Sequence, residues 1–294
     1  MRRFLKYVLF LLTALLLIMA ALDILYTAVY ESAAPRTKFG LLRASKGKQI
    51  DYVFVGSSRV ENGVVPGVIA QKTGKSALNL GFQAAKMEDI LTLVKLLRAY
   101  DIKARTVCIQ VDYNFDVTGR SIALPFEMAP FIRDNEVTRN YYQDQENFFG
   151  LYYAPFYRYN VFDHKIGLRE VVMTVLKGNR TSIPDGGYAP PTRKDTIGTK
   201  YALPKRISRY NRTFEAIDMF CRANEINVVY YCAPFWHQTQ NLGYIKKLKE
   251  KIPGLMDYSG AITDPAMFNN NAHLNDAGAR HFTQLMIRDL EARP

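Results

Sequence analysis

Cysteine, histidine and tryptophan are scarce in this sequence, and each shortage limits what the protein can do. There are three cysteines, four histidines and one tryptophan among 294 residues. Three cysteines cannot all pair with one another, so a fold held together by several disulfides is excluded. The four histidines show no spacing typical of metal ligands, and we predict neither a metal site nor a bound cofactor.

The cysteines lie mostly in apolar surroundings. Cys108 and Cys232 each belong to a hydrophobic run typical of a strand, which favours a role as small buried side chains over redox or metal chemistry. One disulfide among Cys108, Cys221 and Cys232 stays open as an alternative if the compartment is oxidising.

Positive charge is in excess, but the patterns that bind nucleic acid are missing. The formal net charge is +12, and neither a block of consecutive basic residues nor a nucleic-acid-binding motif accompanies it. The charge therefore favours anionic neighbours such as lipid head groups or acidic envelope polymers, and no nucleic-acid partner is predicted.

The one long hydrophobic run in the sequence lies at the N-terminus. Residues 7–22 are all apolar or small, Asp23 interrupts them, and residues 24–30 are again mostly apolar. A helix needs about 20 predominantly apolar residues to span a bilayer, and this segment supplies them. A charge such as Asp23 is costly inside lipid, so we expect it near the outer interface of the membrane.

Positive charges before this run predict its orientation. Arg2, Arg3 and Lys6 precede it, so the positive-inside rule keeps the N-terminus cytoplasmic and places everything after Tyr30 in the periplasm or at the cell surface. The same features fit a cleaved signal peptide, but no small-x-small cleavage site follows the run. We therefore predict a single-pass, uncleaved anchor that has membrane lipid as its partner.

Beyond the anchor, short apolar runs alternate with amphipathic segments. The apolar runs, typical of buried parallel strands, lie at 51–58, 76–82, 106–112 and 227–234. The amphipathic segments, typical of helices, lie at 65–72, 88–100, 207–223 and 275–292. The alternation predicts an α/β fold, a three-layer α/β/α sandwich with a mostly parallel sheet of flavodoxin-like type.

Composition suggests the domain boundaries. We assign residues 1–30 to the cytoplasmic start and transmembrane anchor, 31–49 to a linker, and 50–294 to one folded domain. An aromatic-rich insertion at about 114–205 interrupts the alternation, and it is unusually long for a connection. It fits a lid or substrate platform and equally well a local aromatic core.

Two short motifs carry residues suited to chemistry. Gly56-Ser57-Ser58-Arg59 ends the first predicted strand, and open α/β sheets bind ligands at the carboxyl ends of their strands. His273 lies in a polar loop before the final helix, and Asn270 precedes it by three residues. An attacking serine needs an imidazole that takes its proton, and the imidazole needs an acceptor that orients it. These residues can fill the three roles.

Together the two motifs resemble those of the SGNH/GDSL hydrolase superfamily. In that family a nucleophilic serine follows the first strand in a Gly-x-Ser block, and the base lies in an Asp-x-x-His block before the last helix. Gly56-Ser57-Ser58 is similar to the first block and His273-Leu274-Asn275 to the last. Asn79-Leu80-Gly81 is similar to the block whose glycine helps to form the oxyanion hole. The similarity covers residues 50–113 and 225–292.

The resemblance implies a role for each matched residue. Ser58 is the implied nucleophile, although the adjacent register with Ser57 stays open. His273 is the implied base, Asn270 its orienting partner, and the backbone N–H of Gly81 an oxyanion donor.

The sequence departs from the family pattern at two points. Asn270 stands where the family has aspartate, so no negative charge offsets an imidazolium. Asp112-Tyr113-Asn114 stands where the family has Gly-x-Asn-Asp, and Asn114 is the candidate for the oxyanion asparagine. At the ends of the first and fourth strands, Arg59, Trp236 and His237 are candidates for contacts with substrate.

Two functions follow as alternatives. The first is a membrane-anchored, extracytoplasmic serine esterase or O-acyltransferase that acts on cell-envelope glycan or lipid esters, with a membrane partner supplying acyl groups for transfer. The second is a catalytically inert envelope protein that keeps the SGNH fold and binds a glycan or a membrane partner.

Overall fold

A computed structural model of the chain describes residues 1–178, 183, 185–191 and 201–293. The first helices are α1 (Arg2–Ser32), α2 (Lys38–Ala44), α3 (Ser58–Glu61), α4 (Pro66–Thr73), α5 (Met87–Ala99), α6 (Ala123–Met128) and α7 (Glu136–Gln143). The later helices are α8 (Phe148–Tyr153), α9 (Tyr157–Val161), α10 (Asp163–Ile166), α11 (Leu168–Lys177), α12 (Arg212–Ala223), α13 (Gly243–Lys251) and α14 (Asp276–Glu291). The strands are β1 (Gln49–Gly56), β2 (Ala77–Gly81), β3 (Lys103–Gln110), β4 (Val228–Cys232) and β5 (Met256–Asp257). Short 3₁₀ helices lie at Tyr113–Asp116, Ala129–Phe131, Asp185–Gly187 and Pro265–Met267.

These elements group into two compact units. The first unit comprises Met1–Gly40 and Pro125–Ser182, and the second comprises Leu41–Leu124 and Ile183–Pro294. The second unit contains the sheet. The first contains the apolar helix α1 together with most of the aromatic insertion, so the structure groups two segments that are far apart in sequence.

The second unit is built on a parallel sheet. Within the described residues, five strands lie in the order β2-β1-β3-β4-β5, and each neighbouring pair is parallel. The chain runs from β1 outward to β2 and then returns to the other side of β1 as β3. This reversal is a topological switch point, where open α/β sheets form their ligand crevice.

Helices cover both faces of the sheet. Tyr52 and Phe54 of β1 share a buried cluster with residues of α4 and α14, which pack on each other. Val53 and Val55 alternate with them along the strand and therefore point to the opposite face, where α5 contacts β1 and β3 and packs beside α12. The arrangement confirms the predicted α/β class with helices flanking a parallel sheet.

Most predicted elements appear close to their expected positions, and two regions differ. The four predicted strands correspond to β1 to β4, whereas β5, with two residues, is too short to leave a hydrophobic pattern. Residues 31–49, for which we predict a linker, contain the end of α1 and the whole of α2. Phe39 and Leu42 of α2 are fully buried, so this segment is packed rather than extended.

The cysteines are buried and unpaired. Cys108, Cys221 and Cys232 are all free thiols, which leaves no disulfide among them. Burial raises the pKa of the Cys221 thiol to about 12 and raises those of the Cys108 and Cys232 thiols as well. Within the described ranges, no three His, Cys, Asp or Glu side chains come together to hold a metal ion.

Helix α1 is long and apolar enough to cross a membrane, judged by length and composition. Its most apolar 18-residue window has a mean hydropathy of 2.8, and only 6% of that window is buried. At 1.5 Å per residue, the segment from residue 4 to residue 22 is about 29 Å long, which matches the roughly 30 Å hydrocarbon core of a bilayer. Lys6 is the one charged residue in this segment, and its long side chain can reach the cytoplasmic head groups.

Asp23, which interrupts the apolar run of α1, is buried against basic side chains of the same unit. Its carboxylate pairs with two nitrogens of Arg158 at 2.9 Å each and with Arg133 at 3.2 Å, and it accepts the Phe156 N–H at 2.7 Å. Arg158 is also buried and donates to Thr27 Oγ1 at 2.8 Å. A buried carboxylate is tolerated only with such partners. Asp23 therefore joins α1 to the aromatic insertion.

Replacing Asp23 by alanine leaves Arg158 buried without its carboxylate. We expect the local stability of the first unit to fall by roughly 3–5 kcal/mol, the usual cost of breaking a buried ion pair from one side. Hydrogen exchange followed by mass spectrometry measures this as faster exchange in peptides that contain Phe156 and Arg158.

Glu170→Ala is the matched control for this experiment. It breaks the more exposed Arg36–Glu170 pair of the same unit and should have a smaller effect. Exchange in Asp23→Ala that matches the wild-type protein would contradict a supporting role for Asp23.

Candidate active site

Two glycines bring the turn after β1 close to the neighbouring strand. A Cβ on Gly56, the last residue of β1, would lie 2.5 Å from Val60 Cγ2. A Cβ on Gly81, the last residue of β2, would lie 2.2 Å from the backbone nitrogen of Glu61. Because neither position has room for a side chain, α3 can begin directly at the carboxyl ends of β1 and β2. Ser58 is the first residue of that helix.

The two serines of this turn have different partners. Ser57 caps α3: its Oγ accepts the Arg59 N–H at 3.3 Å, and it donates to Gln110 Oε1 at 2.9 Å. Ser58 Oγ instead lies 2.8 Å from Nε2 of His273. Since the hydroxyl of Ser57 is held in the turn, Ser58 is the serine whose hydroxyl can pass its proton to an imidazole.

His273 is held by a tight loop before α14. The Asn269 N–H donates to the His273 carbonyl oxygen at 2.9 Å, which closes the loop. Asn275 caps α14 by accepting the Gly278 N–H at 3.0 Å. A Cβ on Gly278 would lie 2.0 Å from the Met267 carbonyl oxygen, so only glycine lets α14 start this close to the loop.

Asn270 presents its oxygen, rather than its amide nitrogen, to His273. Oδ1 of Asn270 accepts the backbone N–H groups of Ala272 at 3.0 Å and His273 at 2.9 Å. The same oxygen lies 3.0 Å from His273 Nδ1. Two backbone donors can bond only to an oxygen, so the orientation of this amide is determined by the loop.

The orientation of Asn270 also determines which nitrogen of His273 carries the proton. Nδ1 donates its proton to Asn270, so Nε2 is left to accept the proton of Ser58. In serine proteases, replacing the triad aspartate by asparagine costs about 10⁴ in turnover because the histidine adopts the wrong tautomer. Here the backbone donors prevent that outcome, although the amide still offers no charge to an imidazolium.

Arg59, the residue after Ser58, is buried and connects the parts of the site. Its guanidinium donates to the carbonyl oxygen of Ala272 at 2.6 Å, next to His273, and to those of Ala233 and Pro234 at 2.7 and 3.0 Å.

The same guanidinium pairs with a carboxylate and stacks on a ring. Arg59 Nε lies 2.7 Å from Asp112 Oδ2, and the guanidinium carbon lies 3.6 Å from the centre of the Phe235 ring. Arg59 is 2% exposed. Arg59 is a candidate for substrate binding from its sequence position, but the structure places it beneath the site, where its donors are used within the protein.

Gly81 lies beside the turn, but its backbone N–H already has an acceptor. It donates to Asn79 Oδ1 at 2.9 Å, and Asn79 in turn donates from Nδ2 to the Val60 and Val64 carbonyl oxygens at 2.8 and 2.7 Å. A substrate oxyanion would have to displace Asn79 to use the Gly81 N–H. The Ser58 N–H, by contrast, has no acceptor within the described part of the chain.

Asn114 is also engaged in local structure. Its Oδ1 accepts the Asp112 N–H at 2.9 Å, its Nδ2 contacts the Gln110 carbonyl oxygen at 3.4 Å, and the residue is buried. The side chain therefore shapes the turn after β3, and the structure does not bring it to Ser58 as an oxyanion donor.

Trp236 and His237 follow β4 in the loop that Arg59 holds. The Trp236 N–H donates to the Asn271 carbonyl oxygen at 3.0 Å, which connects this loop to the histidine loop. Trp236 is buried and packs against Phe268, with ring centres 5.5 Å apart. His237 is exposed and lies against the Trp236 ring. Trp236 is thus a packing residue, and His237 is the one of the pair that is open to a ligand.

Gln110 and Asp112 support the site from beneath, a role that the sequence motifs predict for neither residue. Gln110 Oε1 accepts the backbone N–H and the hydroxyl of Ser57, both at 2.9 Å, and its Nε2 donates to Asp112. Both side chains are fully buried. A glutamine in the otherwise apolar run 107–111 is the signal that could have revealed this support, because buried polar side chains need partners.

Comparisons with known proteins find similarity in solved structures only. No protein-family profile matches the chain, and no curated protein matches it. One similar structure is a protein from Desulfitobacterium hafniense DCB-2, provisionally described as a lipolytic protein of the G-D-S-L family. It is 11% identical, the match covers 81% of this chain and 98% of that one, and the TM-score is 0.39.

A second similar structure comes from Streptococcus pneumonia and is provisionally described as a platelet activating factor. It is 12% identical, the match covers 97% of this chain and 99% of that one, and the TM-score is 0.40. At these values the similarity identifies no residue of the candidate site, which rests on its own geometry.

Replacing Arg59 by methionine removes the contacts that connect the site and leaves Asp112 buried without a counter-ion. We expect the free energy of unfolding to fall by roughly 3–5 kcal/mol, with partial recovery when Asp112→Leu is added. Urea denaturation of the purified protein measures both changes.

Arg288→Met is the control, because Arg288 forms a surface pair with Asp289 and should change the stability by less than about 1 kcal/mol. Equal effects of Arg59→Met and Arg288→Met would show that the buried network is not needed.

Proposed function

We propose that this protein is a serine-dependent acyl-transfer enzyme of the SGNH/GDSL type. The observation that carries the proposal is the line of contacts from Ser58 Oγ to His273 Nε2 at 2.8 Å and from His273 Nδ1 to Asn270 Oδ1 at 3.0 Å. A nucleophile, a base in the productive tautomer and an orienting acceptor are the parts that acyl transfer requires.

The proposed reaction has two steps. In the first, Ser58 Oγ attacks an ester carbonyl, its proton passes to His273 Nε2, and the alcohol leaves with that proton as the acyl-serine ester forms. In the second, water or an acceptor hydroxyl gives its proton to His273 Nε2 and attacks the acyl-serine. The acyl group leaves as a carboxylic acid or a new ester, and Ser58 Oγ takes the proton back from His273. The Ser58 N–H can hold the oxyanion, and the Gly81 N–H can join it if Asn79 moves.

The proposed location and substrates follow from α1. We propose that α1 spans the membrane with Arg2, Arg3 and Lys6 on the cytoplasmic side, so that the serine acts outside the cytoplasm. Cell-envelope glycan and lipid esters are then the proposed substrates. Cytosolic acyl donors do not reach that side, so an O-acyltransferase would need a membrane partner to deliver the acyl group.

A second candidate function has its own support in the structure. Asn270 supplies no negative charge, Asn114 is used in its turn, and the Gly81 N–H is held by Asn79. These features favour an inert protein that keeps the fold to bind an envelope glycan or a membrane partner. Serine-dependent acyl transfer remains our proposal because Ser58 and His273 are in hydrogen-bond contact.

Loss of the Ser58 hydroxyl tests the enzymatic proposal. We expect Ser58→Ala to lower the rate of hydrolysis of short acyl esters by about 10³-fold or more, since alanine cannot form the acyl-serine intermediate. Turnover of a chromogenic acetyl ester by the detergent-solubilised chain is the measurement.

Ser57→Ala is the matched control for Ser58→Ala. It removes the cap of α3 at a cost of about 1 kcal/mol in stability and should keep the activity. Esterase activity that survives Ser58→Ala unchanged would rule out Ser58 as the nucleophile.

Two replacements of Asn270 test its orienting role. Asn270→Leu cannot accept the Nδ1 proton, and we expect the rate to fall by about 10²- to 10⁴-fold. Asn270→Asp can accept the same three N–H groups and adds the missing charge, so we expect activity at or above the wild-type level. Steady-state kinetics on both variants measure the effect, and thermal unfolding verifies that each variant is folded. A fully active Asn270→Leu would contradict the orienting role of Asn270.

A further inference from the structure

The first unit carries aromatic side chains that its own packing leaves uncovered. Phe149 and Tyr153 of α8 are 74% and 53% exposed. Phe149, Tyr152 and Phe148 all lie against Tyr153, with ring centres 5.2, 4.9 and 6.3 Å from its own. We call these four residues the α8 patch. Contiguous exposed apolar side chains, unlike single ones, call for a partner surface.

Contacts to Asp23 determine where the α8 patch lies along α1. Arg133 bridges the two elements: its Nη1 lies 3.2 Å from Asp23 Oδ1, and its Nη2 donates to the Tyr152 carbonyl oxygen at 2.6 Å. Phe156, just after α8, donates its N–H to Asp23 Oδ2 at 2.7 Å. The C-terminal end of α8 is therefore within one arginine side chain of Asp23.

Asp23 also marks the end of the apolar part of α1. The segment from residue 4 to residue 22 is about 29 Å long, and the Lys6 side chain within it can reach back to the cytoplasmic head groups, so a membrane-spanning α1 has Asp23 at the outer boundary of the hydrocarbon core. The α8 patch then lies at the depth of the lipid head groups. Tyrosine is enriched at that depth because its ring is apolar and its hydroxyl is polar, and the phenylalanine rings beside it add apolar surface.

We propose that the α8 patch rests in the head-group region of the membrane that α1 crosses, and that the Asp23–Arg158 ion pair holds it at this depth. The proposal rests on the membrane span proposed above. Its ligand is the lipid bilayer itself, which is continuous with the apolar surface of α1.

Charge has a secondary part in this contact. Arg133 and Arg139 place their guanidinium groups 5.9 and 5.4 Å from the centre of the Tyr152 ring, where they can also meet lipid phosphates. Glu136 and Glu146 are exposed in the same segment and offset this attraction. Burial of aromatic surface is therefore the main driving force, and neutral lipid suffices.

A second exposed apolar stripe in the same unit supplies a control. It lies on α11 and consists of Leu168, Val172, Val175 and Leu176. Tyr30 donates to the Ile166 carbonyl oxygen just before α11, and Arg36, beyond the end of α1, donates to the Met173 carbonyl oxygen. Tyr30 is about 10 Å further along α1 than Asp23, at 1.5 Å per residue, so this stripe lies away from the lipid boundary.

Fluorescence quenching by brominated lipid tests the proposal on the full chain in bilayers of neutral lipid. Phe149→Trp places a reporter in the α8 patch, Tyr153→Trp serves as a second reporter, and Leu176→Trp is the control. Phe149 and Leu176 are both 74% exposed. The emission of Trp236, the one native tryptophan, is subtracted by measuring the wild-type chain.

We expect bromine near the head groups to quench Phe149→Trp and Tyr153→Trp several-fold more than Leu176→Trp. Equal quenching of the three variants, or quenching of Phe149→Trp only in anionic lipid, would overturn the proposal. Leu12→Trp, with bromine deep in the acyl chains, tests the span separately. If Leu12→Trp is quenched and Phe149→Trp is not, the α8 patch proposal fails while the span stands. If Leu12→Trp is not quenched, the span fails and the patch proposal fails with it.

Discussion

The buried guanidinium of Arg59 is the interaction on which the candidate site depends. It follows Ser58 directly, pairs with Asp112 after β3, and holds carbonyl oxygens after β4 and beside His273. Three segments that are far apart in the sequence are thereby connected to the residue beside the nucleophile. Arginine suits this task because its planar fork presents several donors in fixed directions, whereas lysine offers a single point charge. The hydrogen bond between Ser58 and His273 is a consequence of this support.

The loop around Asn270 keeps the orientation of His273 although it lacks the aspartate of the motif that it resembles. The amide stands where a carboxylate is expected, but the consecutive backbone N–H groups of Ala272 and His273 turn its oxygen toward the imidazole. Orientation of the imidazole is retained while charge compensation is lost. The site can therefore form the productive tautomer, but it stabilises a charged imidazole less well than a carboxylate would. This difference separates the enzymatic function from the inert alternative in physical terms.

The fold and the central pair of the site could be predicted from sequence because both leave local patterns. Apolar runs that end in glycine and serine indicate strands, and the blocks around Ser58 and His273 are short. The supporting residues leave no such pattern. Arg59 looks like an exposed residue at a strand end, since arginine is seldom buried. Its burial depends on Asp112 and Ala272, which are 53 and 213 positions away in the chain.

Partners that are distant in the sequence also explain the other differences between the predictions and the structure. In the sequence, Asp23 is a charge that interrupts an apolar helix. In the structure it pairs with Arg158, which lies 135 residues later, so no local spacing predicts the pair. Gly81 lies in a block that only resembles an oxyanion motif, and the hydrogen bond from its N–H to Asn79 depends on how β2 packs against α3. Residues 31–49 have the composition of a linker, yet Phe39 and Leu42 find apolar partners and are buried.

The central claim is that Ser58 is a nucleophile activated by His273. The most direct measurement is reaction of the intact chain with a fluorophosphonate, followed by peptide mass spectrometry that locates the adduct. Our account predicts a single adduct on Ser58, none on the neighbouring Ser57, and loss of the adduct when His273 is replaced by alanine. An unmodified Ser58 in a folded protein, or an adduct on Ser58 that forms equally fast without His273, would contradict it.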